Sequence, residues 1–191
     1  MDRFGPRLVR PLAPLILLAA LSGGCVEALP KELMIDDRFS AEEERMIVAA
    51  IDEWNRVGKE YLGLDKILIY QGRYRDPDGF DELDLDDDHS VIYRGQDDRY
   101  YRFLSDHNEA GRTLLGYGTT ADVLLFTFTL DTPEEFQHVA LHELGHFLGL
   151  GHVPDDVNAV MYELTFDDPP LQLTRTDIQD FCLVFDCIKQ P

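Results

Sequence analysis

The chain has 191 residues, 45% of them hydrophobic, and carries a formal net charge of −20. That length and apolar content suit one domain with a substantial core. The acidity argues against nucleic acid or an anionic membrane surface as a direct partner, and serves solubility or, alternatively, attraction of basic substrates.

Residues 1–25 read as an export signal. Arg3, Arg7 and Arg10 precede an apolar run from Leu12 to Leu21, and Ser22, Gly23, Gly24 and Cys25 follow as a small-residue cleavage region. The apolar run is too short to span a bilayer comfortably. Cys25 after two glycines resembles the lipobox of bacterial lipoproteins, although leucine stands four residues before the cysteine where the family usually has it three before. The resemblance implies lipid on Cys25 as the first residue of the mature chain. The expected location is then a bacterial outer membrane or cell surface, with attachment only through the lipid. Ordinary signal cleavage is the alternative and leads to a periplasmic or secreted protein.

Residues 26–32 read as a short tether, and residues 33–191 as the folded domain, expected to be a monomer. A first strand is predicted from Leu33 to Asp37. Ser40 and Glu43 form a capping box that starts a helix, whose apolar stripe is Ile47, Ala50, Ile51, Trp54 and Val57. Gly58 is the expected end. Strands are predicted from Ile67 to Tyr70 and from Val91 to Arg94, where β-branched and aromatic residues concentrate. Asp76, Pro77, Asp78 and Gly79 make a turn between them. The acidic run from Asp81 to Asp88 is a solvated loop or a calcium site, with no EF-hand pattern present.

Two more strands are predicted, from Thr113 to Gly118 and from Val123 to Thr129. Asp131, Thr132 and Pro133 then open a helix, with proline suited to a first-turn position. Val139, Leu141, Leu144, Phe147, Leu148 and Leu150 supply its apolar packing. Thr174 caps a last helix with Asp177 at its third position, and Ile178, Phe181 and Phe185 recur at helical spacing. Cys182 and Cys187 form a pair for a disulfide if the helix ends or bends near Phe185 and Asp186; otherwise they are two free thiols. His89 and His107 have no useful partner spacing. His138 is a satisfied core or surface histidine, or a neighbour of the site described next.

Residues 142–152 read His-Glu-Leu-Gly-His-Phe-Leu-Gly-Leu-Gly-His. His142 and His146, four apart on a helix, project from one face and reach one metal ion. Glu143 lies beside them and can take a proton from an attacking water. A continuous helix would carry His152 about 9 Å beyond His146 along the axis. The chain must therefore turn, and Gly149 stands where glycine's tolerance of left-handed angles is needed. Three imidazole ligands with an open fourth position describe a catalytic zinc site, because structural sites are closed by four protein ligands.

This extended pattern resembles the metzincin superfamily of zinc metalloproteases. Met161, nine residues after His152, is similar to the matrixin Met-turn, and residues 173–179 resemble the start of the matrixin C-terminal helix. The resemblance is specific from Pro133 to Phe181; for residues 33–130 it rests on the order of strands and helices. It implies an α+β fold: a twisted, mostly parallel five-stranded sheet with an active-site helix, Met-turn and C-terminal helix. It further implies one zinc ion on His142, His146 and His152, Glu143 as general base, and a protein or peptide substrate laid along a cleft-edge strand near residues 113–117. Calcium is common in matrixin domains. Val153 stands where matrixins have serine or threonine, and Glu163 where they have proline. No propeptide with a cysteine switch is visible before the first strand. Two other functions fit the same residues: a surface lipoprotein with an unused zinc site, and a zinc hydrolase of a non-peptide amide.

Overall fold

The computed structural model describes residues 28–75, 88–95, 110–115, 120–163 and 168–191. Within them, strands β1 (Lys31–Asp36), β2 (Leu68–Tyr74), β3 (Val91–Gly95), β4 (Gly111–Leu115) and β5 (Ala121–Phe126) form one sheet in the order β2-β1-β3-β5-β4. β1 runs parallel to β2 and β3, and β3 parallel to β5, while β4 is antiparallel to β5 and forms one edge. Among the described residues three α-helices accompany the sheet: α1 (Ala41–Leu62), α2 (Pro133–Phe147) and α3 (Arg175–Phe185). This is the mostly parallel α+β sheet that the metzincin resemblance implied.

Alternation along the strands separates two apolar layers. Leu33, Ile35, Ile92, Val123 and Leu125 join the main core with α1 and α2, whereas Val91, Tyr93, Leu124 and Phe126 form a smaller cluster. The stripe on α1 is buried as its spacing predicts, from Ile47 to Val57. Ile47, Ile51 and Val57 each contribute about 1.5–3 kcal/mol through burial. Trp54, fully buried, also donates its indole N–H to the Leu141 carbonyl of α2 at 2.9 Å.

The capping boxes at Ser40/Glu43 and Thr174/Asp177 form as expected, and Thr132/Glu135 adds a third at the start of α2. Lys31 Nζ donates to the Phe147 carbonyl at 2.6 Å, satisfying a backbone acceptor at the other end of α2. α1 does not stop at Gly58. That glycine is buried against Ile67, and the helix continues to Leu62, where Gly63 adopts a left-handed conformation with φ 73°. β1 begins at Lys31, inside the segment expected to be a tether. β2 extends to Tyr74, and β5 stops at Phe126. Residues 127–129 form a 3-10 turn, not the end of a strand.

α3 ends at Phe185, and Asp186 turns left-handed with φ 51°. That break brings Cys182 and Cys187 to a Cα separation of 4.8 Å, where they form a disulfide. The Ile188 N–H then donates to the Tyr61 carbonyl at 2.9 Å, tying the tail to α1. Among the described residues no helix is long and apolar enough to cross a membrane. The export signal with Cys25, the 76–79 turn, all of the acidic run but Asp88, and His107 lie outside the described residues.

Candidate metal centre

His142 and His146 leave α2 one turn apart, with ring centres 4.7 Å from each other. α2 then closes. The Gly149 N–H donates to the His146 carbonyl at 2.8 Å and the Leu150 N–H to the Gly145 carbonyl at 3.0 Å. Gly149 has φ 94°, the left-handed region that glycine accepts without a Cβ clash. This turn carries His152 back to the pair, with ring centres 5.2 Å from His142 and 4.7 Å from His146. One ligand atom from each of the three residues lies within 4.8 Å of the other two.

Backbone carbonyls set the tautomers. His142 Nδ1 meets the Val160 carbonyl at 2.7 Å, and His146 Nδ1 meets the Leu150 carbonyl at 2.8 Å. A carbonyl only accepts, so each Nδ1 carries the hydrogen and each Nε2 keeps a lone pair. Burial pushes the His142 pKa down to about 3 and lowers that of His146. Both rings are neutral near pH 7, the form that binds a metal.

His146 Nε2 faces His152 Nε2 at 3.1 Å. A tetrahedral ion about 2.1 Å from each nitrogen holds its ligand atoms about 3.4 Å apart, close to that separation. The donor set therefore fits zinc: three imidazoles, with no further metal-ligating cluster among the described residues and a position left for water or substrate.

Glu143 projects beside this group and is only 5% exposed. The Thr113 hydroxyl of β4 lies 2.8 Å from Glu143 Oε2 and 2.9 Å from the Glu143 carbonyl oxygen. Arg112, Thr113, Glu143, His146 and His152 line a cleft of about 430 Å³. A larger cavity, about 490 Å³, lies by Lys31, Met34, His89 and Phe147 and holds none of the three converging histidines.

Met161 is fully buried, and its sulfur packs against Gly145 so closely that a β-carbon at Gly145 would overlap it. The Met161 carbonyl accepts the Val153 N–H at 2.8 Å, next to His152. Asp177, also fully buried, holds this turn from α3: Oδ1 accepts the Met161 N–H at 2.9 Å and Oδ2 accepts the Val160 N–H at 3.0 Å. A second tie joins α3 to the loop after His152, where Thr176 Oγ1 donates to Asp156 Oδ2 at 2.5 Å.

The structure thus brings His142, His146, His152 and Glu143 together, with Met161 below. His138 does not join them. It is buried, with Nδ1 2.9 Å from the Pro170 carbonyl and a pKa lowered by burial. Cys182 and Cys187 are bonded to each other on and beyond α3. The sequence places Thr113 on the cleft-edge strand without a contact to Glu143, gives Gly145 no role of its own, and marks Asp177 only as a cap partner. No local pattern marks the contacts of Thr113, while Gly145 lies within the histidine motif itself.

The sequence profile of the matrixin family matches residues 75–183, and no curated protein matches the chain. The match covers more than half of the sequence and contains all three histidines, Glu143, Met161 and Asp177. The chain therefore belongs to the matrixin family and is a zinc metalloendopeptidase.

Proposed function

We infer that this protein hydrolyses peptide bonds in extended protein segments, with Glu143 as general base. The observation that carries the reading is the convergence of His142, His146 and His152 on one point, with Glu143 in the same cleft. Zinc bound there supplies Lewis acidity, which makes a water more acidic and polarises a carbonyl. Glu143 takes a proton from the attacking water as the O–H electron pair forms the new C–O bond. It then gives that proton to the departing nitrogen as the C–N bond breaks. No covalent intermediate forms, so no serine or cysteine nucleophile is required.

Among the described residues β4 lies at the sheet edge, and it lines the cleft through Arg112 and Thr113. An extended peptide can add to such an edge through main-chain hydrogen bonds, which aligns it across the site. This supports a peptide over a non-peptide amide. Export rests on residues 1–25 of the sequence, with Cys25 as the point of lipid attachment. Cys25→Ser should remove lipid labelling and leave the domain intact.

The direct test is incubation of the zinc-loaded full-length protein with a diverse peptide library, followed by mass spectrometry of the products. New amino and carboxyl termini at internal bonds support the reading. Intact peptides beside a cleaved non-peptide amide, or beside tight binding alone, contradict it.

A further inference from the structure

We propose that Thr113 is a positioning residue for the Glu143 carboxylate, so that β4 orients the base as well as bordering the cleft. The inference rests on the reading of Glu143 as general base.

Residues two apart on a strand share a face, and Gly111 and Thr113 both meet Glu143. A β-carbon at Gly111 would stand 2.7 Å from Glu143 Cγ and 2.8 Å from Oε1, inside contact distance. The strand thus gives the carboxylate room at one position. Two residues later it holds one of the carboxylate oxygens, through Thr113 Oγ1 at 2.8 Å from Oε2. The terminal torsion of a glutamate is broad, and neighbours must fix it. Here the fixed partner comes from a backbone that is itself anchored, because Thr113 pairs with Val123 in the ladder to β5.

The hydroxyl serves both states of the base. A hydroxyl has one proton to donate and lone pairs to accept with. While Glu143 is ionised, Thr113 donates to Oε2. Oε1, which Thr113 does not bond, takes the water's proton, and Oε2, then the carbonyl oxygen of the acid, still accepts from Thr113. The Glu143 main-chain carbonyl, 2.9 Å from the same hydroxyl, keeps that hydroxyl beside the base. No heavy atom moves, and Thr113 neither gains nor loses a proton over the cycle. Serine keeps this chemistry. Valine keeps the shape and loses it.

The test compares zinc-loaded full-length wild type with Thr113→Val, Thr113→Ser and Glu143→Gln on one peptide substrate, with zinc content measured for each. Thr113→Val should lose about 10- to 100-fold in kcat with KM changed less than about 3-fold, since misplacing a catalytic group acts on the transition state. Thr113→Ser should recover to within about 5-fold of wild type. Infrared difference spectra of the metal-free proteins give a second readout. The carboxylate band isolated by subtracting Glu143→Gln should shift in Thr113→Val and return in Thr113→Ser. If the valine protein does not fold, Thr113→Ala takes its place in both measurements. Full kcat and an unmoved band in the valine variant, beside an inactive Glu143→Gln, overturn the role of Thr113 alone. An active Glu143→Gln overturns the general-base reading and this inference with it.

Discussion

The Asp177 carboxylate on α3 and the Met161 backbone are joined by a 2.9 Å hydrogen bond, Met161 N–H to Oδ1. Asp177 Oδ2 takes the Val160 N–H, and the Val160 carbonyl holds His142 Nδ1. A buried side chain on the C-terminal helix is thus linked through one residue to a ring of the candidate metal centre. Asp177→Ala leaves two buried N–H groups without their acceptor and should destabilise the fold by about 3 kcal/mol. Denaturant unfolding measures this. Zinc affinity should fall as well, because the carbonyl that orients His142 loses its support.

Gly145 is the next point of tight fit. Its missing side chain is where Met161 Sδ sits, with Trp54 on the same spot at 3.1 Å from an added β-carbon. Gly145→Ala should therefore destabilise the protein although alanine is the better helix former, by about 1–3 kcal/mol from overpacking. A thermal melt of the variant below that of wild type is the expected outcome.

The two carbonyl-held rings predict how the protein responds to metal removal. The Nδ1 bonds of His142 and His146 do not require a metal, so the ligands stay oriented without one. A chelator should abolish peptide cleavage while circular dichroism keeps its folded form. Added zinc should restore activity at once, with no refolding lag. His146→Ala removes a ligand and should show neither binding of one zinc per chain nor recovery.

The metal-free protein should lose stability on mild acidification. Burial holds His138, His142 and His146 below the ordinary imidazole value, His142 at about 3. The unfolded chain takes up these protons as pH falls through about 6.5, and the folded chain resists, so stability is full above that value and declines below it. For His142 the slope approaches about 1.4 kcal/mol per pH unit, continuing toward its folded value. Glu43 and Glu44, held low mainly by Arg94 and Arg73 respectively against the cost of burial, destabilise only at lower pH, below the ordinary carboxylate range. Urea unfolding of the chelated protein between about pH 7.5 and about pH 5.5 isolates the histidines. A lower midpoint at the acid end is expected.

The site was legible because helical spacing alone places His142 and His146 on one face, and only a turn at Gly149 brings His152 to them. Both features are local. The disulfide was legible for the same reason: five residues cannot close a bridge on an unbroken helix, and α3 does break at Asp186. What stayed hidden depends on contacts between distant segments. Gly58 looks like a helix end until Ile67 packs on it, and Thr127, Phe128 and Thr129 have strand propensity yet form a 3-10 turn. Thr113 and Asp177 carry no local mark of their roles, since each bonds a group 16 or more residues away.

The most direct test of the account is the rate of peptide cleavage by zinc-loaded wild type and Glu143→Gln, side by side, with zinc measured in both. The account predicts that the variant keeps its zinc and loses at least about 100-fold in kcat. Equal cleavage by both proteins, or none by zinc-loaded wild type, would contradict it.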